Sequence, residues 1–318
     1  MNRVLVTGGA GFIGSHLCQR LRAGGVEVTA LDNFDPYYNP EVKRRNLRKL
    51  AGDPGFHLVE GDIRDGELVD GLLGSGKFDL IVHLAARAGV RTSLEDPRTY
   101  FDVNVTGTVV LLEAAHRHHV NRFLFGSSSS VYGNNEKVPF SEEDPVRFPV
   151  SPYAASKRAG ELAAHTFHHL HGMDILCLRF FTVYGPRQRP EMAIHKFTRL
   201  IDEGRPVPRF GGGDSVRDYT YIDDIIEGIM GAARRGKGYR IYNLGESKTT
   251  LLSDLISLLG RALGRTPIIE ESPFQPGDVS RTFADITRAR KEIGYAPGIG
   301  MEEGIRRFID WYRKESKE

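Results

Sequence analysis

Continuous apolar runs alternate with helical patterns through the first 180 residues of the chain. Strands buried on both faces of a sheet have such uninterrupted runs, which predicts strands at Arg3–Thr7, Val26–Leu31, Phe56–Val59, Phe78–Leu84, Arg122–Phe125 and Asp174–Phe180. Apolar residues at helical spacing predict helices between them at Phe12–Ala23, Asp65–Leu73, Thr99–His118 and Tyr153–His171. Strands separated by helices form βαβ units, so we predict an α/β fold with a doubly wound parallel sheet of the Rossmann type.

Proline and glycine become frequent after about residue 180, where the regular alternation of strands and helices ends. Further helical patterns predict helices at Met192–Asp202, Ile222–Arg234, Leu251–Leu263 and Met301–Trp311, and the run Tyr239–Leu244 predicts one more strand. A length of 318 residues suits about two domains. We therefore predict a second, smaller C-terminal α/β domain that is partly interleaved with the first.

Composition narrows the class of protein. Apolar residues make up 40% of the chain and charged residues 26%, as in ordinary globular proteins. The 43 Lys and Arg residues nearly balance the 41 Asp and Glu residues, and this argues against a nucleic-acid partner because such binders carry a basic excess. Cys18 and Cys177 lack the spacing of a disulfide framework or zinc site, so we expect a reducing, cytoplasmic location. No apolar run approaches the roughly 20 residues that span a membrane, and we expect no membrane partner.

A glycine-rich segment separates the first predicted strand from the first predicted helix. Gly8, Gly11 and Gly14 have the spacing G-x-x-G-x-x-G, which permits a tight turn and lets backbone N–H groups approach a pyrophosphate at the start of the helix. Asp32 follows the second strand, where a carboxylate can accept hydrogen bonds from both adenosine ribose hydroxyls and repels a 2′-phosphate. These residues predict a dinucleotide site that favours NAD over NADP. Asp62, after the third strand, either contacts the adenine or caps the next helix.

Tyr153 and Lys157 form a second candidate site. Their i, i+4 spacing places both on one helix face, where a lysine ammonium lowers the pKa of a phenol and favours the phenolate that can act as a base. The serine run at positions 127–130 follows the fifth predicted strand, and one of its hydroxyls can hydrogen-bond a reacting oxygen. The combination with the glycine segment is far more specific than either motif alone.

In this order the motifs resemble the extended short-chain dehydrogenase/reductase family, in its nucleotide-sugar epimerase and dehydratase branch. The resemblance covers essentially the whole chain and is carried by the segments TGGAGFIGSHL, LDNF, GDIRD, HLAA, VNVTGT, SSSSVYG, YAASK, RFFTVYGP, RDYTYIDD and YNLG. It implies that Ser128, Tyr153 and Lys157 are catalytic. It also implies NAD contacts from Gly8, Gly11, Phe12, Ile13, Asp32, Asn33, Asp62, Ile63, Leu84, Ala85, Ala86, Asn104, Tyr153 and Lys157. The implied domains are an NAD-binding domain of residues 1–180, with about 219–247 returning to it, and a UDP-sugar-binding domain of residues 181–218 and 248–318.

Enzymes of this branch abstract a hydride from C4 of the sugar and differ in the step that follows. Dehydratases carry an Asp-Glu pair where this chain has Ser129 and Ser130, and decarboxylases that make UDP-xylose carry a Glu at the position of Ser130. We therefore expect 4-epimerisation through a 4-keto intermediate, with Tyr153 as base and acid. The segments LDNFDPYY, AGVR and TVYGPRQRPEMA are most similar to UDP-glucuronate 4-epimerases, which interconvert UDP-glucuronate and UDP-galacturonate. The alternatives are a UDP-glucose or UDP-N-acetylglucosamine 4-epimerase and a UDP-glucuronate decarboxylase.

A uronate carboxylate needs hydroxyl and cationic donors, and the resemblance suggests which residues supply them. Ser129, Ser130 and Thr182 would supply hydroxyls, and Arg187 or Arg189 the charge. The implied nucleotide contacts are Phe210 on the uracil, Arg217 on the diphosphate and Asp278 on a ribose hydroxyl. Further candidate substrate contacts are Arg91, Met192 and Arg281.

Two predicted helices, Thr99–His118 and Tyr153–His171, match the pair that forms a four-helix dimer interface in the family, so we expect a homodimer. Both helices carry histidines near their ends. His165 and His169 have a spacing that can bind metal, but no carboxylate or cysteine partner is evident and the chemistry needs no metal. We therefore expect no metal site.

Overall fold

The computed structural model describes residues 1–273 and 279–315. Its strands are β1 (Arg3–Thr7), β2 (Glu27–Asp32), β3 (Phe56–Glu60), β4 (Leu80–His83), β5 (Arg122–Ser128), β6 (Asp174–Phe180), β7 (Thr182–Tyr184), β8 (Val207–Phe210), β9 (Val216–Arg217), β10 (Tyr219–Tyr221), β11 (Tyr239–Leu244), β12 (Thr250–Leu251) and β13 (Ile269–Ser272). Its helices are α1 (Phe12–Ala23), α2 (Pro40–Asn46), α3 (Gly66–Gly76), α4 (Val90–Glu95), α5 (Pro97–Phe101), α6 (Gly107–Arg117), α7 (Pro152–His171), α8 (Ala193–Asp202), α9 (Ile222–Arg235), α10 (Leu252–Leu263), α11 (Thr287–Ile293) and α12 (Met301–Glu315).

A seven-stranded parallel sheet in the order β11-β6-β5-β4-β1-β2-β3 forms the centre of the fold. The predicted α/β class and doubly wound sheet are confirmed. The direction of winding reverses at β1, which has β2 on one side and β4 on the other. In sheets of this kind, ligands bind outside the carboxyl ends of the strands at the reversal point.

Two apolar cores cover the two faces of the sheet. One core packs α1 and α9 against one face and includes the buried thiol of Cys18. The other packs α3, α6 and α7 against the opposite face and includes the buried thiol of Cys177. The continuous apolar strands predicted from the sequence are explained by this arrangement, because both faces of each central strand are covered by helices.

The predicted helix Thr99–His118 is divided into three parts. Pro97 begins α5, residues 102–106 form a π-helical turn, and α6 continues from Gly107. Helical periodicity cannot reveal the turn, because a single i→i+5 turn shifts the apolar face by only part of a residue spacing. The turn buries Asn104 beneath the loop that follows β4.

The strand at Tyr239–Leu244 pairs in parallel with β6 over six residues and forms one edge of the large sheet. The part of the chain that follows β6 contains three two-stranded sheets, which pair β7 with β10, β8 with β13 and β9 with β12. Only one residue separates the end of β6 from the start of β7, so the chain leaves the large sheet at its carboxyl end. Within the described residues no helix is both long and apolar enough to cross a membrane.

Candidate active site

A cavity of about 400 Å³ lies at the carboxyl ends of the central strands. Its lining includes all three residues predicted to be catalytic and every predicted cofactor contact except Asn104. From the predicted substrate set it includes Ser129, Ser130, Thr182, Arg189 and Met192. Residues as far apart in the sequence as Gly8 and Met192 therefore meet around one cavity.

The glycine segment forms a closely packed turn at the floor of the cavity. Gly8 has a φ of +70°, and a Cβ there would lie 2.7 Å from the backbone nitrogen of Ala85. A Cβ on Gly14 would lie 2.1 Å from the carbonyl oxygen of Gly8. α1 begins directly after Gly11, and no side chain among the described residues caps it, so its first N–H groups face the cavity at Phe12 and Ile13. This arrangement suits a pyrophosphate, which helix N-termini attract.

Asp32 lies at the end of β2 with its carboxylate held in place. Its oxygens accept hydrogen bonds from the backbone N–H groups of Ala10 at 3.1 Å and Phe34 at 2.9 Å. The ammonium of Lys43 lies 3.4 Å away and is itself buried. The carboxylate lines the cavity, as a ribose-binding residue must.

Asp62 lines the same end of the cavity but does not cap a helix. Its carboxylate pairs with the guanidinium of Arg64 at 2.8 Å and accepts a hydrogen bond from the side chain of Asn33 at 2.9 Å. The hydrogen bonds from Arg64 lower the pKa of Asp62 to about 2. The N-cap of α3 is Asp65, whose side chain accepts from the N–H of Leu68. The sequence left two alternatives for Asp62, a contact with adenine or a helix cap, and the structure excludes the cap.

Asn104 lies beneath the cavity instead of in its wall. Its side-chain oxygen accepts from the N–H of Arg87 at 2.8 Å, and its amide donates to the carbonyl of Arg87 and to the hydroxyl of Ser156, both at 2.9 Å. This side chain therefore joins the loop after β4 to α7. Any effect of Asn104 on a bound cofactor would act through that loop.

Ser128, Tyr153 and Lys157 come together from β5 and α7. Ser151 caps α7 by accepting from the N–H of Ala154, which fixes the first turn that carries Tyr153. The ammonium of Lys157 donates to the carbonyl oxygen of Gly126 at 2.7 Å. The hydroxyl of Ser128 accepts from the N–H of Ser130 at 3.1 Å and faces the same cavity as the phenol.

The electrostatics of the phenol differ from the sequence-based expectation. Burial raises the pKa of Tyr153, whereas a hydrogen bond from Ser128 and the charge of Arg189 lower it by less. The lowering expected from Lys157 is not found in this geometry: burial dominates the pKa of Tyr153, and the interactions that oppose it come from Ser128 and Arg189. Burial also lowers the pKa of Lys157 to about 8, and the charge of Glu161 opposes that shift.

Hydroxyl and cationic groups line the cavity beside Tyr153. Ser129 and Ser130 belong to a 3₁₀ turn after β5, and Thr182 begins β7. Arg189 donates to the carbonyl of Ala88 at 3.1 Å, and 19% of its side chain is exposed. The cavity thus offers a charged donor and three hydroxyls at the end where the phenol lies.

Several other predicted substrate contacts lie outside this lining. Arg187 donates to the side chains of Ser15 at 3.1 Å and Gln19 at 2.8 Å, so its guanidinium is directed to α1. Arg91 lies over the ring of Phe210 at 4.6 Å, and these two side chains contact each other. The other three candidates are Arg217 on β9, Arg281 in a bridge with Val216, and Asp278, which is outside the described residues.

Sequence analysis assigned no role to Tyr37, Arg87 or Lys43, which also line the cavity. Two guanidinium groups lie over the ring of Tyr37, that of Arg87 at 5.2 Å and that of Arg189 at 5.7 Å from its centroid. Arg87 also pairs with Asp35 at 3.3 Å. Lys43 is recognisable only from the fold, because its position on α2 resembles that of any surface lysine. Among the described residues no cluster of three potential metal ligands occurs.

Comparison with known proteins identifies the family. The model of the NAD dependent epimerase/dehydratase family matches residues 4–245. The chain belongs to this family. UDP-glucuronate 4-epimerase 1 of Arabidopsis thaliana is 43% identical over 328 residues, covering 97% of this chain and 76% of the relative.

Solved structures of this family superpose over almost the whole chain. A UDP-glucuronic acid 4-epimerase from Bacillus cereus, solved with UDP-glucuronic acid and NAD, is 35% identical with a TM-score of 0.92, covering 98% of this chain and 99% of that one. A dTDP-glucose 4,6-dehydratase from Streptomyces venezuelae, solved with NAD, is 34% identical with a TM-score of 0.93, covering 99% and 98%. The cofactor of the family is NAD, and the glycine turn and Asp32 fit it. Because an epimerase and a dehydratase superpose equally well, the overall fold does not distinguish the reactions.

Proposed function

We propose that the protein is an NAD-dependent nucleotide-sugar 4-epimerase that interconverts UDP-glucuronate and UDP-galacturonate. The observation that carries this proposal is the placement of Arg189, Thr182, Ser129 and Ser130 in one cavity with Tyr153. A phenol beside a charged and hydroxyl-rich wall suits an alcohol that is oxidised next to a carboxylate. The 43% identity to a UDP-glucuronate 4-epimerase supports the same substrate.

In this proposal the glycine turn and Asp32 hold the cofactor, and Tyr153 moves the proton of the sugar 4-hydroxyl. NAD held there would supply the hydride chemistry at C4, both the acceptance and the return. The phenolate of Tyr153 takes the hydroxyl proton, Ser128 hydrogen-bonds the reacting oxygen, and Lys157 provides positive charge near the phenolate. The 4-keto sugar would turn over within the cavity, so that the returning hydride reaches the opposite face of C4 while Tyr153 gives its proton back to the 4-oxygen.

The carboxylate contacts would also protect the intermediate. A 4-keto uronate is a β-keto acid and loses CO₂ most easily when its carboxylate is perpendicular to the carbonyl plane. Hydrogen bonds from Ser129, Ser130 and Thr182 and the charge of Arg189 would hold the carboxylate away from that orientation. The cavity carboxylates among the described residues, Asp32, Asp35 and Asp62, lie in or after β2 and β3, so the serine turn supplies no acid–base pair for dehydration.

A panel of UDP-sugars tests this function. Purified protein is incubated with UDP-glucuronate, UDP-glucose or UDP-N-acetylglucosamine, and the 4-epimers and any UDP-pentose are separated by chromatography. We expect UDP-galacturonate from UDP-glucuronate and little conversion of the neutral sugars. Conversion of UDP-glucose alone would make the protein a UDP-glucose 4-epimerase, and a UDP-pentose product would make it a decarboxylase.

The variant Arg189→Gln should reduce kcat/KM for UDP-glucuronate by roughly 10- to 100-fold, because it removes a hydrogen bond to a charged group that is worth about 1.5–3 kcal/mol. Any activity with a neutral UDP-sugar should change by less than about threefold, since no carboxylate is present. The matched variant Arg187→Gln should affect both substrates alike, because that guanidinium binds α1. Equal losses on both substrates for Arg189→Gln would reject Arg189 as the carboxylate ligand.

We further propose that the protein is a cytoplasmic homodimer that pairs through α6 and α7. Large apolar side chains remain exposed on α7, with Leu162 53% and Leu170 65% exposed. Two buried free thiols are compatible with a reducing compartment. Light scattering of purified protein should give twice the mass of one chain, and Leu162→Glu should shift it toward the monomer; a monomer at all concentrations would exclude this assembly.

A further inference from the structure

A buried ion pair lies directly behind the proposed catalytic residues. The side chain of Glu161 is fully buried, and Arg179 is 1% exposed. The guanidinium of Arg179 donates to both carboxylate oxygens of Glu161, at 2.8 and 2.9 Å. Neither residue lines the cavity, so the pair does not contact substrate or cofactor. Burying two charges carries a desolvation penalty that their mutual attraction often only balances. A gain in stability therefore does not by itself explain this buried pair.

The carboxylate of Glu161 lies where three elements meet. Glu161 is on α7, Arg179 is on β6, and the hydroxyl of Ser127 on β5 donates to the same carboxylate at 2.7 Å. Ser127 and Arg179 are direct neighbours in the parallel pairing of β5 with β6. The carboxylate therefore fixes α7 to the carboxyl ends of two strands at once.

The neighbouring residues are those of the proposed mechanism. One turn before Glu161 along α7, Lys157 donates to the carbonyl of Gly126 on β5. One residue after Ser127, the chain reaches Ser128. Two contacts one helical turn apart thus align the end of β5 with the helix that carries Tyr153.

We propose that Glu161 is a positioning residue for the epimerase reaction, whose carboxylate, held by Arg179 and Ser127, sets where Lys157 and Ser128 meet Tyr153. The inference rests on the proposed roles of Tyr153 and Lys157. A negative charge one helical turn from Lys157 also favours its ammonium form, which agrees with the opposing effects of burial and Glu161 on the pKa of Lys157. Burial alone would raise the pKa of Glu161, but the interactions with Arg179, Ser127 and Arg158 together hold it below its usual value.

The first measurement follows the ionisation of Lys157 without substrate. Competitive acetylation over a range of pH, with mass spectrometry of the Lys157 peptide, reports its pKa in the NAD-bound protein. Glu161→Gln keeps the shape of the side chain but removes its charge, so the midpoint should move down by about one pH unit. An unchanged midpoint would overturn the electrostatic part of the proposal whether or not the protein is an epimerase.

The second measurement is the pH dependence of kcat with whichever UDP-sugar the wild-type protein converts. For Glu161→Gln we expect the alkaline limb to move to lower pH, so that the loss of kcat at pH 8 exceeds the loss at pH 6.5 roughly fivefold. KM should change by less than about threefold, because Glu161 does not line the cavity. A uniform loss of kcat at every pH would indicate a structural role only and would reject the proposal.

Two further variants separate positioning from folding. Glu161→Gln removes the carboxylate partner of buried Arg179 and also of partly exposed Arg158, whose guanidinium lies 2.9 Å from the same carboxylate. The double variant Glu161→Gln/Arg179→Gln removes both buried charges and restores a neutral buried pair, while Arg158 remains partly exposed to solvent. It should fold, and its Lys157 midpoint should lie between those of the wild type and Glu161→Gln, because one charge of each sign is removed; its kcat should stay low, and a wild-type kcat in the double variant would show that Glu161 serves only as a counterion and would overturn the proposal. The control Asp144→Asn disturbs another buried carboxylate, held by Asn135 and Lys137 outside the cavity, and should leave both pH profiles in place.

Discussion

Replacing Tyr153 with phenylalanine should lower kcat for 4-epimerisation by roughly 10²- to 10⁴-fold, the contribution of a positioned general acid–base group. The substitution removes one hydroxyl and leaves the ring in place. Because Tyr153 lies in the first turn of α7 and the Ser151 cap accepts from the backbone N–H of Ala154, the helix and its cap should remain. The expected result is therefore a folded, NAD-binding protein with almost no turnover.

The measurement requires kcat and NAD content on the same preparations. Tyr242→Phe is a suitable control, because Tyr242 is also buried and its hydroxyl donates to Glu292 at 2.9 Å, outside the cavity. It should retain turnover within about threefold of the wild type. Tyr153→Phe with wild-type turnover would exclude Tyr153 as the base, and a loss of NAD in that variant would mean that the phenol acts in cofactor binding.

Gly14→Ala should weaken NAD binding strongly. The new Cβ would lie 2.1 Å from the carbonyl oxygen of Gly8 and 2.9 Å from the Cα of Gly9, and both contacts are with backbone atoms. The turn cannot move back, because Gly8 packs against Ala85 in a left-handed conformation. Opening the turn at a cost of about 3 kcal/mol would weaken NAD binding roughly 100-fold and lower Tm.

The control for this substitution is Gly71→Ala on α3. A Cβ at Gly71 would meet no atom within 4 Å, and alanine favours a helix over glycine by up to about 1 kcal/mol. Tm should stay level or rise, and NAD content should not change. If Gly14→Ala retained NAD at the wild-type level, the close packing of the glycine turn would not matter for cofactor binding.

The sequence predicted the large sheet well because its signals are local. Each central strand is a run of apolar residues, and covering helices on both faces explain why those runs do not alternate with polar residues. The pairing of β7 with β10 and of β8 with β13 was not predicted, because these strands have only three or four residues. Such short strands are determined by tertiary contacts more than by their own composition.

The candidate site was predictable to the extent that each residue belongs to a motif. Gly8, Asp32, Tyr153 and Lys157 were found because their spacing has a chemical meaning, and all four line the cavity. The two arginines of the segment RQR could not be separated, although the structure directs Arg187 to α1 and Arg189 to the cavity. Arg187 and Arg189 are two residues apart in a loop, so the directions of their side chains depend on the backbone dihedrals between them. Arg187 has a φ of +66°, a conformation that the sequence does not reveal.

Glu161 illustrates a different limit. It lies four residues after Lys157, so the same i, i+4 rule that selected Tyr153 and Lys157 places it on that helix face. A glutamate within a helix is normally a solvent-exposed residue, and only the tertiary structure shows that this one is fully buried and pairs with Arg179 on β6. The i, i+4 spacing from Lys157 to Glu161 can be seen in the sequence, but the pairing of Glu161 with Arg179 cannot.

The position of β11 limits how this enzyme can be recombined with its relatives. A chimera with a single crossover after residue 180 would take β11 from the second parent and pair it with β6 of the first along six residues. The α9 helix packs Gly228 against Leu244 at the end of that strand, and Tyr295 donates to the carbonyl of Gly245. An exchange of sugar specificity between parents therefore needs two crossovers, one on each side of the segment from α9 to β11, so that the sheet edge and its covering helix are inherited together.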